Sequence, residues 1–112
     1  MTINDIELDL VRPSSSKARR LAIHIRTNKI SNHPAIIIGE DGKSYLIIPM
    51  TTNPIKQTVK LRKNPDPNSS KTSYAIFRMR ANKKSAFSAP LNWILHPKDY
   101  EMIEEYARKK IK

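Results

Sequence analysis

Residues 35–48 read AIIIGEDGKSYLII, two apolar runs on either side of a short polar turn. The first run is rich in isoleucine, whose branched side chain favours extended backbone. The pair Asp41-Gly42 between the runs is typical of a tight hairpin turn, because glycine readily adopts the positive φ that such turns need. The stretch therefore predicts a buried antiparallel hairpin, and this hairpin places the chain among the β proteins.

Further short strands are predicted on both sides of this hairpin. Apolar and polar residues alternate there with a period of two, which is typical of a half-buried strand. The stretches concerned are residues 21–26, 58–61 and 73–79. Residues 64–70 (NPDPNSS) predict a loop, because proline, asparagine and aspartate favour turns. Residues 82–85 also predict a loop, and residues 87–95 show a mixed pattern.

The last predicted element is a helix over residues 97–111. Pro97 suits a first helical turn, where its missing N–H is not needed. Acidic residues come early in this segment and basic residues late, which complements the helix dipole. The acidic residues from Asp99 to Glu105 are expected on a solvated helix face. Short strands followed by one helix predict a mainly β fold, a small barrel or curled sheet with a C-terminal helix against it.

The length of 112 residues predicts one domain. We assign it to residues 18–112. Residues 1–17 contain a short alternating stretch, Ile6 to Leu10, followed by the basic, serine-rich stretch 12–17. These features predict an N-terminal arm that is flexible or bound to a partner.

The chain carries a formal net charge of +11, from 21 Lys+Arg and 10 Asp+Glu. Residues 53–90 hold nine bases and one acid, whereas residues 91–112 are nearly balanced. A polyanion relieves the self-repulsion of such a charge and releases counterions on binding, so nucleic acid is the expected partner. A solubilising surface, or a patch for an acidic protein, are the alternatives.

Several classes of protein are disfavoured by the composition. The chain has no cysteine, which excludes disulfides, thiolate metal sites and a cysteine nucleophile. The apolar runs are far shorter than a membrane span, and no secretory signal is evident. We therefore expect a cytoplasmic protein without membrane contact. His24, His33 and His96 are too scattered to predict a metal site, and no cofactor motif is present.

Residues 49–54 (PMTTNP) hold the side chains best suited to chemistry. Two hydroxyls and an amide follow a buried strand, at a place where a rigid sheet commonly supports functional groups. Threonine hydroxyls among cations suit a phosphodiester, because the hydroxyl donates to a phosphoryl oxygen while a cation neutralises it. An ordinary hydroxyl-stabilised turn is the alternative. Likewise Tyr45, Tyr74 and Phe77 are candidates for base stacking or for the core, and Trp93 for the core or an interface.

The order of these segments resembles a known family. Residues 33–38 (HPAIII) and 45–53 (YLIIPMTTN) are similar to the core of the MazF/PemK-type endoribonuclease toxins, which have Arg-Pro before an apolar strand and a following strand ending in Pro-Ile-Thr. Residues 51–56 (TTNPIK) are also similar to the ToxN/AbiQ-type toxins. The resemblance covers residues 33–110. It implies an SH3-like barrel, with residues 19–26 in place of the usual N-terminal strand.

The resemblance also implies a reaction. In this family a ribose 2′-oxygen attacks the adjacent phosphorus of single-stranded RNA without a metal ion, leaving a 2′,3′-cyclic phosphate. Thr51 stands on the matching threonine and His33 at the position of the catalytic arginine, where histidine serves as an acid or base. With Arg80 as a phosphate-stabilising cation, these three are the expected catalytic residues. The expected RNA-binding residues are Thr52, Lys56, Arg78, Lys83, Lys84 and Arg26, with Lys83 at the position of a family aspartate.

Three functions remain open on the sequence. The first is an endoribonuclease toxin of a toxin–antitoxin system, for which the resemblance implies a homodimer and inhibition by an antitoxin protein or RNA. The second is a non-catalytic nucleic-acid-binding module. The third is a basic module that recruits an acidic protein. Convergence of His33, Thr51 and Arg80 on one concave surface favours the first.

Overall fold

The computed structural model describes residues 21–111. The predicted arm, residues 1–17, lies outside the described residues. Within them the chain forms seven strands, a short 3-10 turn and one α-helix. In chain order these are β1 (His24–Asn28), β2 (Pro34–Asp41), β3 (Ser44–Thr51), β4 (Thr58–Lys60), β5 (Tyr74–Ile76), β6 (Arg80–Lys83), the 3-10 turn (Lys84–Ala86), β7 (Phe87–Leu91) and α1 (Pro97–Lys110).

The predicted hairpin is confirmed, and its strands are longer than predicted. β2 and β3 pair antiparallel, with Ile36 opposite Ile48 and Asp41 opposite Ser44. The two residues between the strands are Gly42 and Lys43, one position later than predicted. Of these two only Gly42 has a positive φ, 61°, which fits a turn with glycine at its first central position.

The sheet is antiparallel and runs in the order β4-β5-β3-β2-β1-β7. The edge of β3 that faces away from β2 is shared by two strands. β6 pairs with its first half, and β5 with its end at Met50 and Thr51. Within residues 21–111 the sheet does not close, since β4 and β7 are not paired. The expectation of a mainly β fold with a C-terminal helix is confirmed.

The main core lies between one sheet face and α1. Alternate residues of β2 and β3 point into it, and Ile36, Ile48 and Ile103 are fully buried there. Burying one such side chain stabilises the fold by about 1.5–3 kcal/mol. The opposite sheet face carries a second, smaller cluster, formed by Ala35, Ile37, Ile47 and Phe87 with Tyr45 and Ala86 against them.

Two strands were not predicted. β6 reads RANK and is mostly exposed, so it shows no apolar alternation; it is a strand because its backbone pairs with β3. β7 contains Pro90 and lies at an edge of the sheet formed by residues 21–111, where the missing N–H is tolerated. The first strand also differs: Leu21 and Ile23 pack on the main core, but β1 begins only at His24.

The helix confirms the predicted segment with one correction. Its N-cap is His96, whose Nδ1 accepts a hydrogen bond from the Lys98 N–H at 3.1 Å. Asp99 was expected on a solvated face, but it is 2% exposed. Its carboxylate accepts from the Arg62 N–H at 3.0 Å and the Lys63 N–H at 3.4 Å, which compensates its burial. Within residues 21–111 no helix has the length and hydropathy to cross a membrane.

Candidate functional site

A cleft lies where β2 begins and β3 ends, and we call it the Thr51 cleft. Its volume is about 430 Å³. All three predicted catalytic residues, His33, Thr51 and Arg80, line it. The other lining residues are Asn28, Ser31, Pro34, Ala35, Ile47, Pro49, Met50, Ile76 and Asn82. The cleft therefore combines an apolar part with hydroxyl, amide, imidazole and guanidinium groups.

His33 is held by the loop between β1 and β2. The Asn28 side chain organises this loop, because its Oδ1 accepts from the N–H groups of Ile30 at 2.9 Å and Ser31 at 3.2 Å. The Asn28 N–H donates to the His33 carbonyl at 2.9 Å. Asn32 takes a positive φ of 59°, which asparagine tolerates better than most residues. His33 is exposed, so its imidazole is accessible from solvent.

Thr51 is the last residue of β3 and begins a turn. Its Oγ1 accepts from the Asn53 N–H at 3.0 Å and lies 3.3 Å from the Asn53 carbonyl, to which it donates. The hydroxyl-stabilised turn considered from the sequence is thus present. The turn also fixes the position of Oγ1 at the wall of the cleft. A phosphoryl oxygen in the cleft would compete with the Asn53 carbonyl for the hydroxyl proton.

Arg80 reaches the cleft through the pairing of β6 with β3. It stands opposite Ile47, and Asn82 stands opposite Tyr45. The segment before Arg80 is anchored to α1, because the Met79 N–H donates to the Tyr106 hydroxyl at 3.2 Å and Phe77 stacks on the Tyr106 ring. Among the described residues that line the Thr51 cleft, none carries a carboxylate. The site therefore favours an anion over a cation.

A second cleft adjoins the first, and we call it the Trp93 cleft. Its volume is about 330 Å³. The two clefts share His33, Pro34, Met50 and Thr51. Trp93 lines the second cleft and also packs on the main core, which is one of the two roles predicted for it. The predicted RNA-binding residue Thr52 lines this cleft, where it is exposed.

The remaining predicted RNA-binding residues are more dispersed. Lys56 is exposed in the segment between β3 and β4, Arg78 is exposed between β5 and β6, and Lys83 is exposed at the end of β6. Arg26 and Lys84 instead meet over the Tyr45 ring, at 5.0 and 5.5 Å from its centroid.

The two cations beside Tyr45, Arg26 and Lys84, already have partners within the protein. The Arg26 guanidinium donates to His24 Nε2 at 2.9 Å and to the Ser88 carbonyl at 2.7 Å. Burial, with the Arg26 charge as a smaller cause, lowers the pKa of His24 below 6.5. The Lys84 ammonium donates to Glu40, and this pairing lowers the pKa of the exposed Glu40 carboxyl. Arg26 and Lys84 are therefore less available to an RNA phosphate than Arg80.

Two predicted stacking candidates serve packing. Tyr45 contacts Phe87 edge to face, with ring centroids 5.7 Å apart. Phe77 stacks on Tyr106 at 4.8 Å. Both rings thus take the core role that the sequence left open.

Several lining residues were not singled out from the sequence. Asn28, Ser31 and Asn82 enlarge the polar wall of the Thr51 cleft, and Ile76 contributes to its apolar part. The first two lie in a stretch that the sequence identifies only as a polar loop. Asn82 lies in β6, which was not predicted as a strand. Without its pairing with β3, the sequence gives no indication that Asn82 lines the cleft.

Within residues 21–111 no group of three His, Asp or Glu side chains is placed to hold a metal ion. Comparison with protein-family models, with curated proteins and with solved structures found no match to this chain.

Proposed function

We propose that this chain is an endoribonuclease that cleaves single-stranded RNA by attack of the ribose 2′-oxygen. The observation that carries the proposal is the convergence of His33, Thr51 and Arg80 on the Thr51 cleft. These residues span 47 positions of the sequence, from 33 to 80, yet line one cleft. The absence of carboxylates from the described lining supports a phosphodiester as the ligand.

Each group has a role that fits its chemistry. The 2′-oxygen forms a bond to phosphorus, the bond from phosphorus to the 5′-oxygen breaks, and a 2′,3′-cyclic phosphate remains. Arg80 neutralises the non-bridging oxygens, and Thr51 donates to one of them. His33 serves at one of the two proton transfers, from the 2′-hydroxyl or to the leaving 5′-oxygen. The apolar part of the cleft accommodates a base or ribose face.

The proposal extends to the biological setting on the strength of the sequence resemblance. The chain would be the toxin of a cytoplasmic toxin–antitoxin system, an SH3-like barrel of the MazF/PemK or ToxN/AbiQ type that acts as a homodimer and is neutralised by an antitoxin. The antiparallel sheet, with a helix over one face, is compatible with such a barrel. In a closed barrel the two edge strands pair with each other, and within residues 21–111 the edge strands β4 and β7 do not.

A second candidate is a module that binds RNA without cutting it. It is favoured by the state of the Thr51 hydroxyl, which already donates to the Asn53 carbonyl and accepts from the Asn53 N–H. A hydroxyl committed to the backbone can define the shape of a binding site without entering a reaction.

Incubation of purified protein with mixed-sequence single-stranded RNA in EDTA, followed by mapping of product ends, tests the proposal. We expect discrete cuts with cyclic-phosphate ends. Thr51→Ala, His33→Ala and Arg80→Gln should each lower the rate by about 10²–10³-fold, the usual loss on removing a proton-transfer group or a phosphate-stabilising donor.

Conservative and remote variants serve as controls. Thr51→Ser keeps the hydroxyl and the turn, so it should retain most of the activity. Lys109→Gln removes an exposed charge from α1 and should cleave like wild type. Intact RNA that is nevertheless bound would establish the non-catalytic module. Full cleavage by both Thr51→Ala and His33→Ala would show that the reaction takes place elsewhere.

A further inference from the structure

A third cleft lies on the loop between β4 and β5, and we call it the basic cleft. Its volume is about 540 Å³. Among the described residues, four cationic ones line it, against one acidic residue, Asp66. The cationic residues are Lys60, Arg62, Lys63 and Lys71. The hydroxyl residues Ser69, Ser70 and Thr72 also line it, so the cleft holds both charges and hydrogen-bond donors suited to phosphate.

The loop that forms this cleft is an organised structure. The Leu61 N–H donates to the Ser73 carbonyl at 2.9 Å, which closes the loop at its base. The Asn64 amide donates to the Lys71 carbonyl at 3.0 Å, which joins its two sides. Buried Asp99 holds the first residues of the loop against α1. The backbone that carries the cations is therefore ordered before any ligand binds, which lowers the entropic cost of binding.

Asp66, the acidic residue of this lining, has a local role. Asp66 Oδ1 accepts from the Asn68 N–H at 2.9 Å, and the Asp66 N–H donates to Asn64 Oδ1 at 3.0 Å. The carboxylate thus stabilises the turn on which the cations are displayed. Its charge leaves a net excess of three positive charges among the four cationic residues and Asp66.

The basic cleft adjoins the candidate site through shared lining residues. Asn64, Asp66 and Ser69 line both the basic cleft and the Trp93 cleft. The Trp93 cleft in turn shares His33 and Thr51 with the Thr51 cleft. Three adjoining depressions therefore run from Arg80 to the loop between β4 and β5, with the tryptophan in the middle one.

We propose that the basic cleft is a subsite for the phosphate backbone of the same single-stranded RNA, and that Trp93 contacts a base between this subsite and the Thr51 cleft. The inference rests on the proposed function, because it assumes that RNA occupies the Thr51 cleft. Cations along a groove that also presents an aromatic ring are the usual means of binding single strands without reading their sequence. The subsite extends the substrate from one phosphodiester to a segment of several nucleotides.

Binding of RNA oligonucleotides with 2′-O-methyl riboses tests the inference, because such RNA cannot be cut by 2′-oxygen attack. Affinity is measured by fluorescence anisotropy at several salt concentrations, for a tetranucleotide and for an oligomer of about ten nucleotides. The double variant Lys63→Gln/Lys71→Gln is compared with Lys109→Gln/Lys110→Gln, which removes the same charge from exposed positions of α1. Quenching of Trp93, the only tryptophan of the chain, reports occupancy of the middle cleft.

We expect the loop variant, Lys63→Gln/Lys71→Gln, to bind the longer RNA about tenfold more weakly. The negative slope of log affinity against log salt should become shallower by about 1.4, the value for two lost phosphate contacts. The tetranucleotide and the α1 variant should change little, and the longer RNA should quench Trp93. Unchanged affinity of the loop variant for the longer RNA, or an equal loss in the α1 variant, would overturn the subsite.

The results distinguish failure of the proposed activity from failure of the subsite. Length-dependent, loop-dependent binding without cleavage of unmodified RNA would reject the ribonuclease and retain the subsite. Cleavage with no loss of binding in the loop variant would reject the subsite alone. No binding of the longer oligonucleotide by wild type would reject the subsite, and the cleavage assay on unmodified RNA alone decides the activity.

Discussion

At the scale of single residues, Thr51 combines two tasks in one hydroxyl. The oxygen ends β3 by accepting from the Asn53 N–H, and the same residue lines both the Thr51 and Trp93 clefts. The turn fixes the oxygen, so on binding only the hydroxyl proton has to turn from the Asn53 carbonyl to a phosphoryl oxygen. Serine keeps this arrangement and valine, though similar in shape, does not.

His24 makes the stability of the fold depend on pH. Its Nε2 accepts from the Arg26 guanidinium at 2.9 Å, which requires a neutral ring, and burial lowers its pKa below 6.5. The unfolded chain therefore binds a proton at a higher pH than the folded protein does. Stability from this group is present above pH 6.5 and is lost as the pH falls from 6.5 through the lowered pKa.

The comparison of His24→Gln with wild type measures this dependence. Glutamine stays neutral and retains an acceptor for Arg26, so the loss of stability between about pH 7 and pH 5 should be smaller in the variant. Thermal unfolding midpoints of both proteins across this range give the difference. Parallel pH curves would show that His24 does not titrate differently in the folded protein.

At the scale of elements, the turn between β2 and β3 fixes the register of the central hairpin. A Cβ at Gly42 would meet no atom within 4 Å, so the cost of a side chain there is conformational only. Gly42→Ala should lower the free energy of unfolding by about 1 kcal/mol, because alanine is strained at a φ of 61°. Asparagine adopts positive φ more easily, so Gly42→Asn should lose less. Urea unfolding measures both, and an alanine variant as stable as wild type would contradict the strain argument.

The strand β6 shows how an element positions a functional residue without contributing to the core. Its side chains are mostly exposed, yet its pairing with β3 sets Arg80 opposite Ile47 at the Thr51 cleft. Stacking of Phe77 on Tyr106 holds the preceding segment to the helix. The backbone at Arg80 is therefore held by the sheet, and the segment just before it is held by α1.

At the scale of the whole molecule, Asp99 joins the helix to the loop of the basic cleft. Asp99→Ala would leave the N–H groups of Arg62 and Lys63 without their buried acceptor and should lower the free energy of unfolding by about 2–4 kcal/mol. Asp99→Asn keeps one carbonyl oxygen and should lose about half as much.

Urea unfolding of these variants, with Lys98→Ala as the control, measures the effect. Lys98 is the exposed neighbour of Asp99, and its truncation should change stability by less than about 0.5 kcal/mol. If Asp99→Ala were as stable as Lys98→Ala, the carboxylate would not be what attaches the loop to the helix.

Local sequence and composition were enough to establish the central hairpin, the loop at residues 64–70, the C-terminal helix and the concentration of positive charge before residue 91. These features depend on local periodicity, turn chemistry and composition, which are properties of residues close together in the sequence. The sequence also identifies three candidate catalytic residues, His33, Thr51 and Arg80. It does so through the family resemblance, since it does not show that they lie close together.

Which residues share a surface depends on the fold and could not be predicted from local sequence. The pairing of β6 with β3 depends on backbone hydrogen bonds, which any side chains permit, so the polar sequence of β6 carried no sign of it. The burial of Asp99 required N–H groups 37 and 36 positions earlier in the chain. The three clefts likewise adjoin because the β4–β5 loop, the end of β3 and Trp93 line neighbouring cavities. Proximity between segments so distant in sequence leaves no local pattern.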